Sequence, residues 1–287
     1  MRVTLSKGEM LLEIDPCAGG AVSALRHRDL NILRPGPERI GPAFDPVKYA
    51  AFPMVPFVGR IHNGAFECND AAIELPANLP PEPHAIHGHG WRAAWKLDSE
   101  TKDSASLVYD HISDAWPWDY TARQDFKLDD SEMTVRLSIT NKGTTNMPAG
   151  LGWHPYFPRE NAILTLPAMQ EWVPDDETGD NVPRPIQNGL CLATGKPVEA
   201  LNLDTTFSVH EPAISMTWPT HAVRMASDPV FTHATIYVPP GADYFCAEPI
   251  THAPNAVNSA LPASETGLKC LAPGETLIGS IVLSVTH

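Results

Sequence analysis

No run of apolar residues in this 287-residue chain approaches the roughly 18 that a membrane-spanning helix requires, and this predicts a soluble protein without a membrane partner. The opening stretch Met1–Glu9 is charged and alternating where a secretory leader would carry a continuous apolar segment. Cysteine is sparse: Cys17, Cys68, Cys191, Cys246 and Cys270 are odd in number, widely spread and include no C-x-x-C pair. Reduced thiols and a cytoplasmic location are therefore expected. Positive charge is also short, with 20 Lys and Arg against 34 Asp and Glu, a formal charge of -14 and a pI near 5.2. Such a surface repels a phosphate backbone, so no nucleic acid partner is expected. There is no long amphipathic helical pattern, no repeat of fixed period and no low-complexity segment, which leaves strands to build the fold.

Strand patterns are plentiful. Val3, Leu5, Met10, Leu12 and Ile14 fall largely on alternate positions before a turn at Asp15-Pro16, and a second hairpin is expected to close at Arg28-Asp29. Tyr120–Ala122, Phe126–Leu128 and Met133–Ile139 alternate cleanly around the turns Asp129-Asp130-Ser131 and Asn141-Lys142-Gly143. Val230–Pro239, Asp243–Pro249 and Leu277–Val285 read as further strands. The 29 prolines and 19 glycines are scattered along the chain, as many strands joined by turns require. These features predict an all-β fold, a large antiparallel β-sandwich with more strands than an immunoglobulin-like module, forming a single domain over residues 1–287. Pro53 and Pro56 argue against a regular central strand within 51–66, which is expected to be a loop. The segment 170–200 is polar and rich in turn residues, and the aromatic knot Trp116–Tyr120 suits core packing better than sugar stacking.

Five side chains stand out. His154 sits in Gly150-Leu151-Gly152-Trp153-His154-Pro155-Tyr156-Phe157, where the following proline favours extended backbone, the glycines permit close approach and Trp153, Tyr156 and Phe157 offer flat walls. It suits a sugar site or a buried strand end with a satisfied imidazole. Arg60, after Gly59 in apolar surroundings, needs a carboxylate, sugar hydroxyls or backbone carbonyls as acceptors. His87 belongs to His84-Ala85-Ile86-His87-Gly88-His89. A His-x-His pair on a strand would aim both rings to one face, as a metal site needs, but no further ligand follows at short spacing and the nearest downstream carboxylate is Asp98. Donation to a bound hydroxyl fits His87 as well. Asp204 lies beside the β-rich Thr205-Thr206-Phe207 and is a binding carboxylate or a turn residue. Glu248 ends an apolar strand before Pro249, so its carboxylate must be paired or poised for proton transfer. His154 and Glu248 could form an acid and base pair across a concave sheet face.

The order Gly59-Arg60-Ile61, His87-Gly88, Gly152-Trp153-His154-Pro155-Tyr156-Phe157, Asp204-Thr205-Thr206-Phe207 and Glu248-Pro249 resembles the aldose 1-epimerase (galactose mutarotase) family across most of the chain. The resemblance implies a galactose mutarotase-like supersandwich with a groove on its concave face, no metal and no cofactor, and a small-molecule sugar as substrate. It implies that Glu248 is the general base for the anomeric hydroxyl, that His154 is the general acid for the ring oxygen, and that Arg60, His87 and Asp204 hold sugar hydroxyls. On that basis Glu248 is expected to be ionised, to accept hydrogen bonds and to avoid apolar burial. Gly152-Trp153 stands where the best-known branch carries an Asn before the histidine, and His87-Gly88-His89-Gly90-Trp91-Arg92 replaces a His-Gly-Gly element, which leaves the preferred aldose open. Arg60, Arg92 or Lys269 could serve a hexose 6-phosphate, but the acidic charge favours a neutral aldose. The rival readings are a non-catalytic carbohydrate-binding protein and a cupin-like metal enzyme built on His84, His87 and His89. A monomer or homodimer is expected.

Overall fold

The computed structural model describes residues 2–38, 44–175, 180–187 and 190–287. Residues 39–43 of the connection leading to Pro46, and residues 176–179 and 188–189 of the polar 170–200 segment, lie outside the described residues.

Two large sheets carry the fold. The larger runs in spatial order through Val3–Lys7, Met10–Asp15, Ala21–His27, Ala51–Met54, Gly152–Pro158, Tyr244–Ile250, His233–Val238, Leu203–Val209, Ala168–Pro174 and Asn181–Pro185, with Leu30–Asn31 paired beside its third strand. The other runs through Lys96–Glu100, Ser104–His111, Tyr120–Leu128, Glu132–Asn141, Thr276–Thr286, His221–Ser227, Ala213–Trp218, Ile163–Thr165 and Lys196–Pro197. Their ladders are antiparallel throughout. The expected antiparallel all-β architecture is the one observed. The alternating strands behave as period two demands: on Tyr120–Leu128 and Glu132–Asn141 every second residue is buried, Phe126, Val135, Leu137 and Ile139 among them.

Alternation along the larger sheet separates two apolar regions. Leu5, Leu12, Trp153, Phe157 and Phe245 join Leu107, Phe126 and Val135 of the other sheet in the main core. Tyr49, Phe52, Met54, Tyr156, Cys246 and Ile250 point away from that core into a second cluster, covered by Ile86 and Trp91. The Gly152–Pro158 strand is thus buried on both faces, which explains its nearly unbroken apolar run. Trp116 and Trp118 of the aromatic knot lie in the main core.

One expectation fails here. Ala51–Met54 is a central strand despite Pro53, paired with Gly152–Pro155 on one side. The proline is tolerated because the ladder on the other side is a single pair, Val22 with Ala51, so little backbone pairing is lost. The polar 170–200 segment also contains strands, since Ala168–Pro174 and Asn181–Pro185 pair and extend the larger sheet to its edge.

Candidate active site

Sheet register assembles the site. Gly152 pairs with Ile250 and Tyr156 with Cys246, so His154 and Glu248, midway between, stand opposite each other. The prolines that follow them, Pro155 and Pro249, withdraw backbone donors, and the ladder between these strands is interrupted where the two side chains meet. The rank continues across the sheet: Phe52 is opposite His154, Thr235 opposite Glu248, Thr206 opposite Thr235 and Trp172 opposite Thr206. Two residues along, Tyr156, Cys246, Tyr237 and Asp204 form a parallel rank. These ranks floor a cleft of about 640 Å³, to which the short strand Arg60–Ile61, paired with Ala85–Ile86, adds Arg60 and the turn after Ala85–Ile86 adds His87. All five side chains singled out from the sequence line it.

His154 Nε2 lies 3.3 Å from Glu248 Oε1, and both side chains are less than one-tenth exposed. The imidazole is packed against Phe52 at 4.5 Å and stacked on Tyr156 at 4.8 Å between ring centroids, and its Nδ1 is buried without a hydrogen-bond partner. Burial pushes the His154 pKa down to about 3 and pushes Glu248 well above the usual carboxylate range; Asp204 adds to the latter rise and Arg60 opposes it. Both groups are driven towards their neutral forms. This corrects the expectation of an ionised, solvated Glu248. On the sheet it stands between Thr235 and His154, its side chain almost wholly buried, and desolvation outweighs the nearby guanidinium.

His87 occupies a left-handed conformation, φ 58°, followed by Gly88 at φ 69°. A side chain at position 88 would meet the Val55 carbonyl oxygen at 2.3 Å, so the tight turn that aims His87 into the cleft requires glycine. The Gly59 amide donates to His87 Nδ1 at 3.2 Å, which makes Nδ1 an acceptor and leaves Nε2–H as a donor. Burial, with His154 and Arg60 close by, holds this imidazole well below its ordinary pKa and therefore neutral. The left-handed turn also corrects the expected strand geometry of His87 and His89. Instead of sharing a face, His87 meets His154 edge to face while His89 stacks on His111, and His84 packs beside His62. The three histidines of the metal reading do not converge.

Arg60 donates to Glu82 through two nitrogens, at 2.7 and 2.9 Å, and lies 3.7 Å from Asp204. Glu82 escaped the sequence reading because it sits between two prolines far from Arg60 in the chain; its one visible signal was an unpaired guanidinium needing an acceptor. Arg92 stacks on the Trp91 ring at 4.4 Å and Lys269 is an exposed residue of the strand Lys269–Leu271; neither lines the cleft. Of the aromatic walls expected around His154, only Tyr156 faces the cleft, while Trp153 and Phe157 alternate into the main core. The glycines before His154 admit protein atoms: a side chain at 150 would strike the His252 ring, and one at 152 would strike Met54 and Val58.

The profile of the family described as aldose 1-epimerase matches residues 1–284. The chain belongs to the aldose 1-epimerase family. It is 31% identical to the uncharacterized protein YphB of Escherichia coli (strain K12), over 98% of each chain. The solved structure of a galactose mutarotase-like protein from Clostridium acetobutylicum superposes with a TM-score of 0.88 at 19% identity, covering all of this chain and 95% of the other. Galactose 1-epimerase from Lactobacillus acidophilus NCFM shares the fold at a TM-score of 0.79 and 15% identity, over 99% and 94% of the two chains. The galactose mutarotase-like fold expected from the sequence is therefore the fold of this aldose epimerase family member.

Proposed function

We propose that this aldose epimerase family member is an isomerase that interconverts the α and β anomers of a free, neutral aldose, with His154 and Glu248 as its acid and base. The observation that carries the reading is their 3.3 Å contact in the floor of the cleft. A pair this close spans two oxygens bonded to one carbon, the anomeric hydroxyl oxygen and the ring oxygen of a pyranose. Because burial opposes both charges, it favours a single proton shared by the pair: one member is an acid while the other is a base. In the resting cleft burial favours that proton on the carboxyl group; its transfer across the contact gives the ionised Glu248 and protonated His154 that the family resemblance implies.

Ring opening then balances within the pair. Glu248 takes the proton of the anomeric hydroxyl, His154 gives its proton to the ring oxygen, the bond from C1 to that oxygen breaks and the carbonyl forms. Rotation about the bond from C1 to C2 presents the other carbonyl face. Closure returns each proton to its origin and yields the opposite anomer. His87, with its Nε2–H directed to the cleft, Arg60 and Asp204 bind sugar hydroxyls, and Thr206 and Thr235 offer further polar contacts beside Glu248. Tyr156 and Trp172 pack on the less polar face of the ring.

A neutral sugar is favoured by the charges. Arg60 is already engaged by Glu82 and Asp204, and Glu82, Asp204 and Glu248 add carboxyl groups to the same cleft. A hexose 6-phosphate would meet carboxylates and a guanidinium that is already paired. The test is exchange spectroscopy by NMR, or polarimetry, on freshly dissolved α-D-glucose, α-D-galactose, pentoses, deoxysugars and glucose 6-phosphate. Acceleration with neutral aldoses and little with the phosphate supports the proposal. No acceleration with any of them would leave a carbohydrate-binding protein on the same fold.

A further inference from the structure

Outside the catalytic cleft, His89, His111 and Asp114 bring three potential ligands together where a loop meets the end of a strand of the second sheet. His89 lies in the loop between His87 and Trp91, His111 ends the strand Ser104–His111, and Asp114 follows in the next turn. We propose that these three residues bind a divalent transition cation of the Zn²⁺ class.

The geometry supplies both a set of ligands and the groups that orient them. One nitrogen of each imidazole and a carboxylate oxygen of Asp114 lie within 4.8 Å of one another. His89 Nδ1 is 3.2 Å from the Tyr120 hydroxyl and His111 Nδ1 is 3.2 Å from the Tyr109 hydroxyl. Tyrosine oxygens thus engage the Nδ1 side of both rings, and Nε2 is the nitrogen left for a metal. An outer partner on the second ring nitrogen is the usual means of orienting a metal-bound histidine. Zinc bonds of about 2.0–2.2 Å put tetrahedral ligand atoms roughly 3.4 Å apart. His111 Nε2 already lies 3.4 Å from Asp114 Oδ1. The Asp114 side chain is more than half exposed, so it can move onto the cation and leave the fourth position to water. The competing arrangement is metal-free: His111 Nε2 donates to the Trp116 carbonyl at 3.4 Å and to Asp114, with His89 stacked on it at 4.4 Å and 8° from parallel, so one ring must also turn before the in-plane lone pairs of both converge on a cation. A bound cation would join the loop that carries His87 and Trp91 to the second sheet.

Isothermal titration of the whole chain with Zn²⁺ alone, and with Co²⁺ read by its visible absorption, tests the proposal. The expected result is one cation per chain, a four-coordinate Co²⁺ spectrum and a raised melting temperature. Asp114→Asn, at an exposed position, should weaken binding at least tenfold, His89→Asn should abolish it, and Tyr120→Phe should weaken it about tenfold through the lost outer contact. Glu248→Gln should leave binding unchanged. The proposal fails if no stoichiometric binding occurs at micromolar cation, or if binding survives His89→Asn but is lost with Glu248→Gln, because the cation would then occupy the group formed by His154, Cys246 and Glu248 in the cleft.

Discussion

Replacing Glu82 by Gln separates the charge of the cleft from its catalytic pair. Glu82 holds Arg60 through two hydrogen bonds at the edge of the cleft, and the two side chains are 34% and 35% exposed. A unit charge about 7 Å from an anionic ligand, at an effective dielectric of about 20, is worth about 2 kcal/mol. Partial exposure and salt reduce this to about 1 kcal/mol, or about fivefold. If the anionic group reaches the freed guanidinium, one charge-assisted hydrogen bond adds about 1.5 kcal/mol, roughly another tenfold. The kcat/KM ratio of glucose 6-phosphate to glucose should therefore rise by about 5- to 50-fold in Glu82→Gln. Activity on glucose should change much less, because Arg60 keeps Asp204 beside it. The fold should lose under about 1 kcal/mol, the ordinary worth of an ion pair open to solvent. Anomer exchange on both sugars, with denaturant unfolding as a control, measures these quantities. An unchanged ratio, or an equal gain on both sugars, would refute the claim that the paired carboxylate sets selectivity against anionic sugars.

Gly88→Ala places a methyl group on a left-handed backbone and against the Val55 carbonyl oxygen, so it should destabilise the fold by about 2 kcal/mol or more and raise KM more than it lowers kcat, as His87 is displaced; an unchanged KM and melting temperature would contradict the assigned turn. Asp204 raises the Glu248 pKa, so Asp204→Asn should move the alkaline limb of the kcat profile to lower pH, and a shift to higher pH or none would count against the one-proton pair. Burial holds His233 down to about 3 and His252 down to about 4, while the unfolded chain protonates histidine near pH 6.5; at His154 the raised Glu248 beside it acts in the opposite sense, the folded state there keeping a proton that the unfolded carboxylate lacks. At His233 and His252 the unfolded state therefore binds more protons as pH falls below about 6.5. Each of these two imidazoles should contribute a stability loss of about 1 kcal/mol per pH unit until its folded pKa is reached. Chemical denaturation at pH 7.5 and pH 5 checks this, and equal stability at the two values would show that these rings are not held neutral.

Local pattern carried much of the fold. The strands Tyr120–Leu128, Glu132–Asn141 and Thr276–Thr286 each bury one face of a period-two pattern, and that pattern is visible without a structure. Ala51–Met54 was hidden because the proline rule presumes that a central strand needs both edges, whereas here one edge is a single pair. The site divides in the same way. A histidine and a glutamate each preceding a proline are legible as unusual, and the interrupted ladder explains why the prolines are there. What remains invisible in sequence is partnership between distant segments: Glu82 with Arg60, and His89 with His111 instead of with His87. The proton state of Glu248 was also out of reach, because it depends on burial beneath the cleft and not on the residues beside it in the chain.

The most direct test of the acid and base assignment compares anomer exchange in wild type, His154→Asn, Glu248→Gln and the double variant, each first shown to be folded, on the best neutral aldose. Each single change should lower kcat by about 10²- to 10⁴-fold, the usual contribution of a positioned proton-transfer group. The double variant should be little worse than the poorer single one, because the two residues act as a unit. Near wild-type exchange in either folded single variant would contradict the account.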